Sequence, residues 1–340
     1  MDAIVNGRRQ GLSIRGSQFC IIVCGLHRSG TSAVTRLINI LGADIADDLL
    51  PKASDNILGY WESRAVLKIH DQLVRQVGAT PYDPFDPLAL RTDWVATAAA
   101  QHAKYQLSNL IESKFADSRI FVVKDPRICR LLPLWVALLR NLDVAPIIVV
   151  PFRNPLEVAA SLAQRDHVSF PKAMLLYFHS YLEADLASRS LPRLFVRYDD
   201  LLRDWRPFVR RLSQTSGMQF SSPTQDVSVE IDNFLTADLY HHRFSREQLL
   251  QSPDAPAAIT EMFDRMTEAA DTGDERALRK SFDRLGTRAD EAAGLYRGFV
   301  IAERHELARM RQTFELSTCW RITAPLRWLK VRLLSRYMVG

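Results

Sequence analysis

The sequence predicts a three-layer α/β/α protein with a mostly parallel sheet and a C-terminal helical extension. Three observations carry this reading: four short apolar runs rich in β-branched and aromatic residues, helical patterns between them, and a glycine turn joining the first run to the first helix.

The apolar runs lie at 19–23, 120–123, 147–150 and 194–196. Each is continuously apolar rather than alternating, as strands buried on both faces are. Val34, Leu37, Ile38 and Leu41 repeat at i, i+3, i+4, i+7, and Leu131, Leu134, Trp135 and Leu138 repeat that spacing. Strands alternating with helices imply a parallel sheet covered on both faces, with ligands beyond the carboxyl ends of the strands. Residues 1–18 read as a flexible N-terminus and 19–218 as the α/β domain. Between 219 and 275 the periodicity weakens into Ser, Pro and Asp clusters, which read as an irregular or helical lid or linker. Residues 276–316 read as a long helix, and 317–340 as a basic amphipathic tail.

With 340 residues, 47% hydrophobic and 24% charged, the chain can bury a core without staples. Its four cysteines are too few and too scattered for a disulfide framework, which suits reduced thiols in the cytoplasm. The first residues lack the apolar core of a signal peptide, and no stretch approaches the ~18 uninterrupted apolar residues of a membrane span. The net charge of +5 is localised. Arg321, Arg327, Lys330, Arg332 and Arg336 lie in the tail with no acid among them, and the remainder of the chain balances. No nucleic-acid partner is therefore expected.

The first strand runs into Gly25-Leu26-His27-Arg28-Ser29-Gly30-Thr31-Ser32 and then into a helix. A strand, a glycine-bearing turn and a helix N-terminus bring backbone N–H groups and the positive dipole end together, an anion site of P-loop-like design. The spacing is that of GxxxxGK[ST], with Thr31 at the lysine place. A kinase needs that lysine on the β- and γ-phosphates, usually with Mg²⁺. A donor with one bridging phosphate next to sulfur needs less, and Arg28 can supply the cation.

Arg28-Ser29-Gly30-Thr31-Ser32 resembles the 5'-phosphosulfate loop of the sulfotransferase superfamily, in its carbohydrate- and tyrosine-modifying branch. Two further segments strengthen the resemblance. Arg153 follows the third strand and Ser161 lies eight residues on, like the family's 3'-phosphate site; a guanidinium fork and a helical hydroxyl are apt phosphate ligands. Lys124-Asp125-Pro126-Arg127 follows the second strand and is similar to a segment whose lysine lies near the transferring sulfate. Asp125 and Arg127 also read as an ion pair shaping the turn. Gly59-Tyr60-Trp61-Glu62 resembles the segment bearing the family's catalytic glutamate, so Glu62 is the candidate base and His70 the reserve; a first-turn glutamate favouring the helix dipole is the plain alternative.

The resemblance covers 19–218. It implies 3'-phosphoadenosine-5'-phosphosulfate (PAPS) as donor, a hydroxyl or amine acceptor and no metal. Glu62, Lys124 and Arg28 are the expected catalytic residues. His27, Arg28, Ser29, Gly30, Thr31, Ser32, Arg153 and Ser161 are expected to bind the donor. The C-terminal glycine-rich nucleotide motif of the small-molecule branch has no counterpart. Trp320-Arg321-Ile322-Thr323-Ala324-Pro325-Leu326-Arg327 is similar to a motif ending many bacterial polysaccharide enzymes, which suggests a glycan acceptor. The basic and apolar residues after it suit an anionic membrane surface, hence a cytoplasmic enzyme peripheral at the inner face, or a helix packing its tryptophans on its own body. Competing readings are a P-loop kinase and a catalytically inactive, membrane-associated binding protein of the same fold.

Overall fold

In the computed structural model, residues 18–53, 56, 58–77, 93–218, 220, 224–236 and 243–328 are described. Residues 1–17 of the N-terminal segment and 329–340 of the basic tail lie outside them. The strands are β1 (Gln18–Val23), β2 (Ile120–Lys124), β3 (Val144–Phe152) and β4 (Arg193–Arg197). They stand in the order β2-β1-β3-β4, and every neighbouring pair is parallel. The helices are α1 (Thr31–Ile40), α2 (Arg64–Gln76), α3 (Ala98–Lys114), α4 (Ile128–Asn141), α5 (Pro155–Asp166), α6 (Phe170–Ser188) and α7 (Tyr198–Arg203). After them come α8 (Arg206–Ser216), α9 (Gln225–Phe234), α10 (Arg246–Gln251), α11 (Ala257–Thr272), α12 (Arg276–Leu316) and α13 (Thr318–Ile322).

Because successive strand residues point to opposite faces, the four apolar runs supply two cores at once. Cys20, Ile22, Phe121, Val123, Ile148 and Val150 face the layer of α3 to α6 and α11. Ile21, Val23, Val122, Ile147, Val149 and Val196 face the layer of α1, α8 and α9. The expected i, i+3, i+4 rows are the contact faces: Val34, Leu37 and Ile38 of α1, and Leu131, Leu134, Trp135 and Leu138 of α4, have no solvent exposure. Each such side chain contributes about 1.5–3 kcal/mol by leaving water. The α/β/α architecture is thus the one the apolar pattern predicts.

The 219–275 stretch carries more regular structure than its sequence suggests. Its described parts include α9, α10 and α11, and α11 packs on β4, α5 and α6. Ile259, Met262 and Met266 are buried there, so α11 belongs to the core layer. Its apolar positions follow the helical repeat; the Ser, Pro and Asp clusters before it are caps and turns, such as Ser245, whose side chain and Gln248 form a capping box at α10.

The chain divides into two units, Met1–Gly286 and Thr287–Gly340. The first holds the sheet. The second holds the continuation of α12 followed by α13, where the Trp320 ring lies 4.6 Å from Phe314 and 3.5 Å below the Arg327 guanidinium. Among the described residues no helix is long and apolar enough to cross a membrane.

Since Met262 has no exposure, Met262→Ala should cost about 2–5 kcal/mol in urea unfolding. A loss below about 0.5 kcal/mol, as at a surface position, would show that α11 is a loosely attached lid.

Candidate active site

The strand order reverses between β1 and β3, so the loops leaving these strands diverge to opposite faces and open a crevice at their carboxyl ends. Register sharpens this: Val23 stands level with both Lys124 and Val149. A cavity of about 530 Å³ occupies the spot, lined by His27, Arg28, Thr31, Ser32, Tyr60 to Glu62, Lys124, Arg153, Ser161, Arg165, Tyr198 and residues of α9, among others.

The loop after β1 is shaped by close backbone approaches. A Cβ on Gly25 would stand 2.7 Å from the Pro151 carbonyl oxygen, so only glycine lets the loop pass β3 at this distance. Gly30 has φ 88°, and a Cβ there would meet the Tyr198 ring at 2.3 Å. Arg28 also adopts a left-handed conformation, φ 68°, a strain of about 1–3 kcal/mol that loops retain where the surroundings impose it. Gly30 N-caps α1 with no side-chain acceptor on the first N–H groups, which leaves Thr31 and Ser32 at a positive helix end. Ser29 is fully buried and does not line the cavity.

Lys124 ends β2 and is nearly sealed from water. Its ammonium donates to Glu62 Oε1 at 2.5 Å, the Tyr60 carbonyl at 3.0 Å and Ser32 Oγ at 3.2 Å. The expected base and the expected leaving-group cation are therefore paired. Glu62 precedes the helix instead of opening it: Ser63 is the N-cap of α2, its hydroxyl accepting from the Val66 N–H, so the first-turn alternative does not hold. Asp48 fixes this entry by accepting from Ser63 Oγ at 2.9 Å and from the Ala65 N–H at 2.8 Å. Trp61, beside Glu62, has φ 58°, with the Arg36 guanidinium 4.8 Å from its ring centre.

Arg153 ends β3. Its Nε donates to Glu157 Oε2 at 2.5 Å, and its guanidinium lies 5.4 Å from the Tyr198 ring centre. Glu157 is held in turn by the Phe244 N–H at 2.8 Å. Burial pushes the Glu157 carboxyl up, against the opposing effect of Arg153. The α6 tyrosines pin the end of β3, Tyr177 donating to the Arg153 carbonyl at 3.0 Å and Tyr181 to the Pro151 carbonyl at 2.9 Å. Ser161 on α5 accepts from Arg28 Nε at 2.7 Å. The two expected anion sites are thus not separate: Arg28 of the first loop reaches the serine of the second.

His70 is not in this cavity. It is fully buried, its Nε2 accepting from Trp135 Nε1 at 3.0 Å and its Nδ1 lying 3.1 Å from Asp125 Oδ2. A ring fixed at both nitrogens beneath the site cannot reach an acceptor, which removes the reserve base. Asp125 and Arg127 form the turn-shaping ion pair, Arg127 Nη1 at 2.9 Å from Asp125 Oδ2 and its Nη2 at 2.8 Å from Asp71. Burial opposes ionisation of Asp125, but His70 and Arg127 outweigh it and hold the carboxyl well below the usual range. His27 does line the cavity; burial first, then Arg165 and Lys124, keeps its imidazole neutral by lowering its pKa well below the usual value.

Sequence reasoning missed Arg165, Tyr198, Glu157 and Asn233. Arg165 lies one helical turn beyond Ser161 on α5, a spacing that identifies it once Ser161 is placed. Glu157 lies four residues beyond Arg153, a local spacing that identifies it as that arginine's partner. Tyr198 lies in the 197–201 segment after the fourth strand, which resembles the family without an assigned role. Only Asn233 gave no signal, because its role depends on which helix lies over the crevice. Arg28, Lys124, Arg153 and Arg165 face the cavity with Glu62 as the one acid among its described lining residues. Such a site is built for a polyanion, with a single carboxylate available for proton transfer.

Lys124→Ala leaves the Glu62 carboxylate buried without its partner and should cost about 3 kcal/mol in urea unfolding. The double variant Lys124→Met with Glu62→Gln should recover most of that loss. Equal stability of Lys124→Ala and the parent chain would show that the pair is not closed in solution.

No protein-family model matches the chain, and no curated protein sequence matches it. Among solved structures it is similar to the sulfotransferase STF1 from Mycobacterium tuberculosis H37Rv at 14% identity, over 74% of this chain and 76% of that one, with a TM-score of 0.46. It is similar to the sulfotransferase domain of the Synechococcus PCC 7002 olefin synthase at 17% identity, over 73% of this chain and 94% of that one, with a TM-score of 0.41. The sulfotransferase domain from the curacin biosynthetic pathway is 15% identical, over 75% of this chain and 98% of that one, with a TM-score of 0.40.

Proposed function

We propose that the protein transfers a sulfuryl group from PAPS to a hydroxyl or amine acceptor. The observation that carries this reading is the continuous cationic cradle from the loop after β1 to the end of β3, closed by the contact between Arg28 and Ser161. A donor phosphorylated at both its 5' and 3' ends calls for two anion sites in one crevice. The threonine in place of a loop lysine speaks against a kinase.

In this reading the N–H groups at the start of α1 and Arg28 hold the 5'-phosphate, and Arg153 with Ser161 holds the 3'-phosphate. Glu62 takes the proton of the acceptor as its oxygen or nitrogen bonds to sulfur. The bond from sulfur to the bridging phosphate oxygen breaks in line, and the electron pair leaves with 3',5'-bisphosphoadenosine. Lys124 stabilises the negative charge on that departing oxygen. The distance from Lys124 Nζ to Glu62 Oε1 supports this division of labour, because it sets the carboxylate and the ammonium side by side on the cavity wall. Stabilisation by fixed donors and cations in a water-poor pocket is usually the largest catalytic contribution.

For the acceptor we favour a saccharide. Tyr60, Trp61 and Phe234 stand beside Asn56 and Asn233 on the cavity wall, a mixture that suits a ring with apolar C–H faces and hydroxyl edges. The tail motif's likeness to polysaccharide enzymes points the same way. A peripheral place on anionic lipid is supported by exposed Ile322, Leu326 and Trp328 near Arg321 and Arg327.

Calorimetric titration should give tight, metal-free binding of 3',5'-bisphosphoadenosine; preference for ATP with Mg²⁺ would overturn the donor assignment. Arg153→Ala should weaken bisphosphate binding by roughly tenfold to a hundredfold, whereas Glu62→Gln should spare binding and lower turnover about 10²- to 10⁴-fold. The opposite pattern would exchange the two roles. Deleting residues 317–340 should abolish sedimentation with anionic liposomes, and unchanged binding would sink the peripheral assignment.

A further inference from the structure

Helix α12 carries one apolar row from end to end. Leu278, Phe282 and Leu285 are buried in the core of the first unit, at steps of four and three residues. The same row continues through Ala289 and Ala292 to Tyr296, Phe299, Leu307, Met310 and Phe314. From Tyr296 onward its large apolar members, with Leu295 beside them, are 54–79% exposed. Ten of the fifteen exposed large apolar residues among those described lie between 295 and 328. A helix that keeps a core-type stripe after leaving its core has that stripe for something else to cover.

We propose that this face of α12 pairs with the same face of a second copy of the chain, forming a homodimeric coiled coil. The steps of three and four are those of a coiled-coil seam. Two consecutive steps of four, from Phe299 to Glu303 and on to Leu307, mark one stutter, which locally unwinds the supercoil without ending it. The surface is sufficient in size. Each aromatic of the row has roughly 150–250 Å² to bury, so at the observed exposure the row offers on the order of 600 Å² per chain, about 1,200 Å² in a pair, where specific interfaces begin.

The charges favour a protein partner over lipid. Between 287 and 316 there are five basic and five acidic residues, whereas an interfacial helix carries an excess of Lys and Arg. The tail, with five basic residues and no acid, has that excess and this helix does not. Among the described tail residues, Trp320 meets the row at Phe314, its last large apolar member. A second copy brings an identical row, so a two-fold pairing matches apolar steps along its length. Glu303 falls within the row, a charged seam position of the kind that sets register while weakening association.

Sedimentation velocity of the full chain across micromolar concentrations tests this. The parent chain should form a reversible dimer. Phe299→Glu with Met310→Glu should weaken it by at least about tenfold, with thermal unfolding of the body unchanged, because both side chains are exposed in the single chain. Glu303→Leu should tighten it. A chain that stays monomeric at ~100 μM, where even a weak specific pair would form, would overturn the proposal. So would a dimer indifferent to the double substitution, or a monomer whose sedimentation with phosphatidylglycerol vesicles is lost in the double variant.

Discussion

Four parallel strands end along one edge of the sheet, and the reversal of strand order between β1 and β3 parts the loops at that edge. Other features of the cavity follow from this. Parallel pairing sets the ends of β1 and β2 level, so Lys124 reaches Glu62 and Ser32 without leaving its strand's axis. The end of β3 presents Arg153 from the opposite side, and Arg28 spans the gap to Ser161. The close pass of Gly25 by the Pro151 carbonyl is one of two tight points of the arrangement, the other being Gly30 against the Tyr198 ring. At Gly25 the loop after β1 is braced against the strand that leads into Arg153.

Cations packed together repel, and the structure offsets this with carboxylates placed behind them. Glu157 grips Arg153 and Asp125 grips Arg127, while Asp166 takes one edge of Arg165. Each acid stands on the same helix or turn as its arginine, so the guanidinium is aimed at little further entropic cost. Glu62 differs. It faces the cavity, it comes from a turn held by Asp48 and Ser63, and its partner Lys124 belongs to another element. Support groups hold cations still from behind, whereas Glu62 shares its cation across two elements and faces the cavity, and this distinguishes it from the other acids around the cavity.

The two units solve different problems. The first buries apolar residues on both faces of a sheet and keeps its polar groups at one edge. The second is a helix with balanced charge and an apolar row left open, followed by a basic segment whose Trp320 ring packs against Phe314 of α12 on one side and under the Arg327 guanidinium. Composition averaged over the whole chain hides this contrast, because the charge excess resides almost entirely in the tail.

Periodicity and spacing alone determined the strands, the α/β layering and the glycine-bearing turn between β1 and α1, since these depend on short-range pattern: period-independent apolar runs, the i, i+3, i+4 rows and a glycine where the backbone must turn left-handed. The positions of Arg28, Lys124 and Arg153 were legible for the same reason, each lying at or just beyond the end of a recognisable strand, and Ser161 by its spacing of eight residues from Arg153. Tertiary structure alone decided which of them touch. His70 shows this most clearly: Val66, Leu73 and Val74 mark the inward face of α2 on which it lies, but only the packing of α2 puts it against Trp135 and Asp125. Tyr198, Glu157 and Asn233 likewise come to the site from elements whose placement depends on long-range packing. The 219–275 stretch was hard to read because α9 and α10 are short and separated by caps and turns, and because the core that stabilises the longer α11 is built from β4, α5 and α6. Local pattern reports what a segment can form; whether it forms, and against what, is settled by the apolar surface that the rest of the chain presents to it.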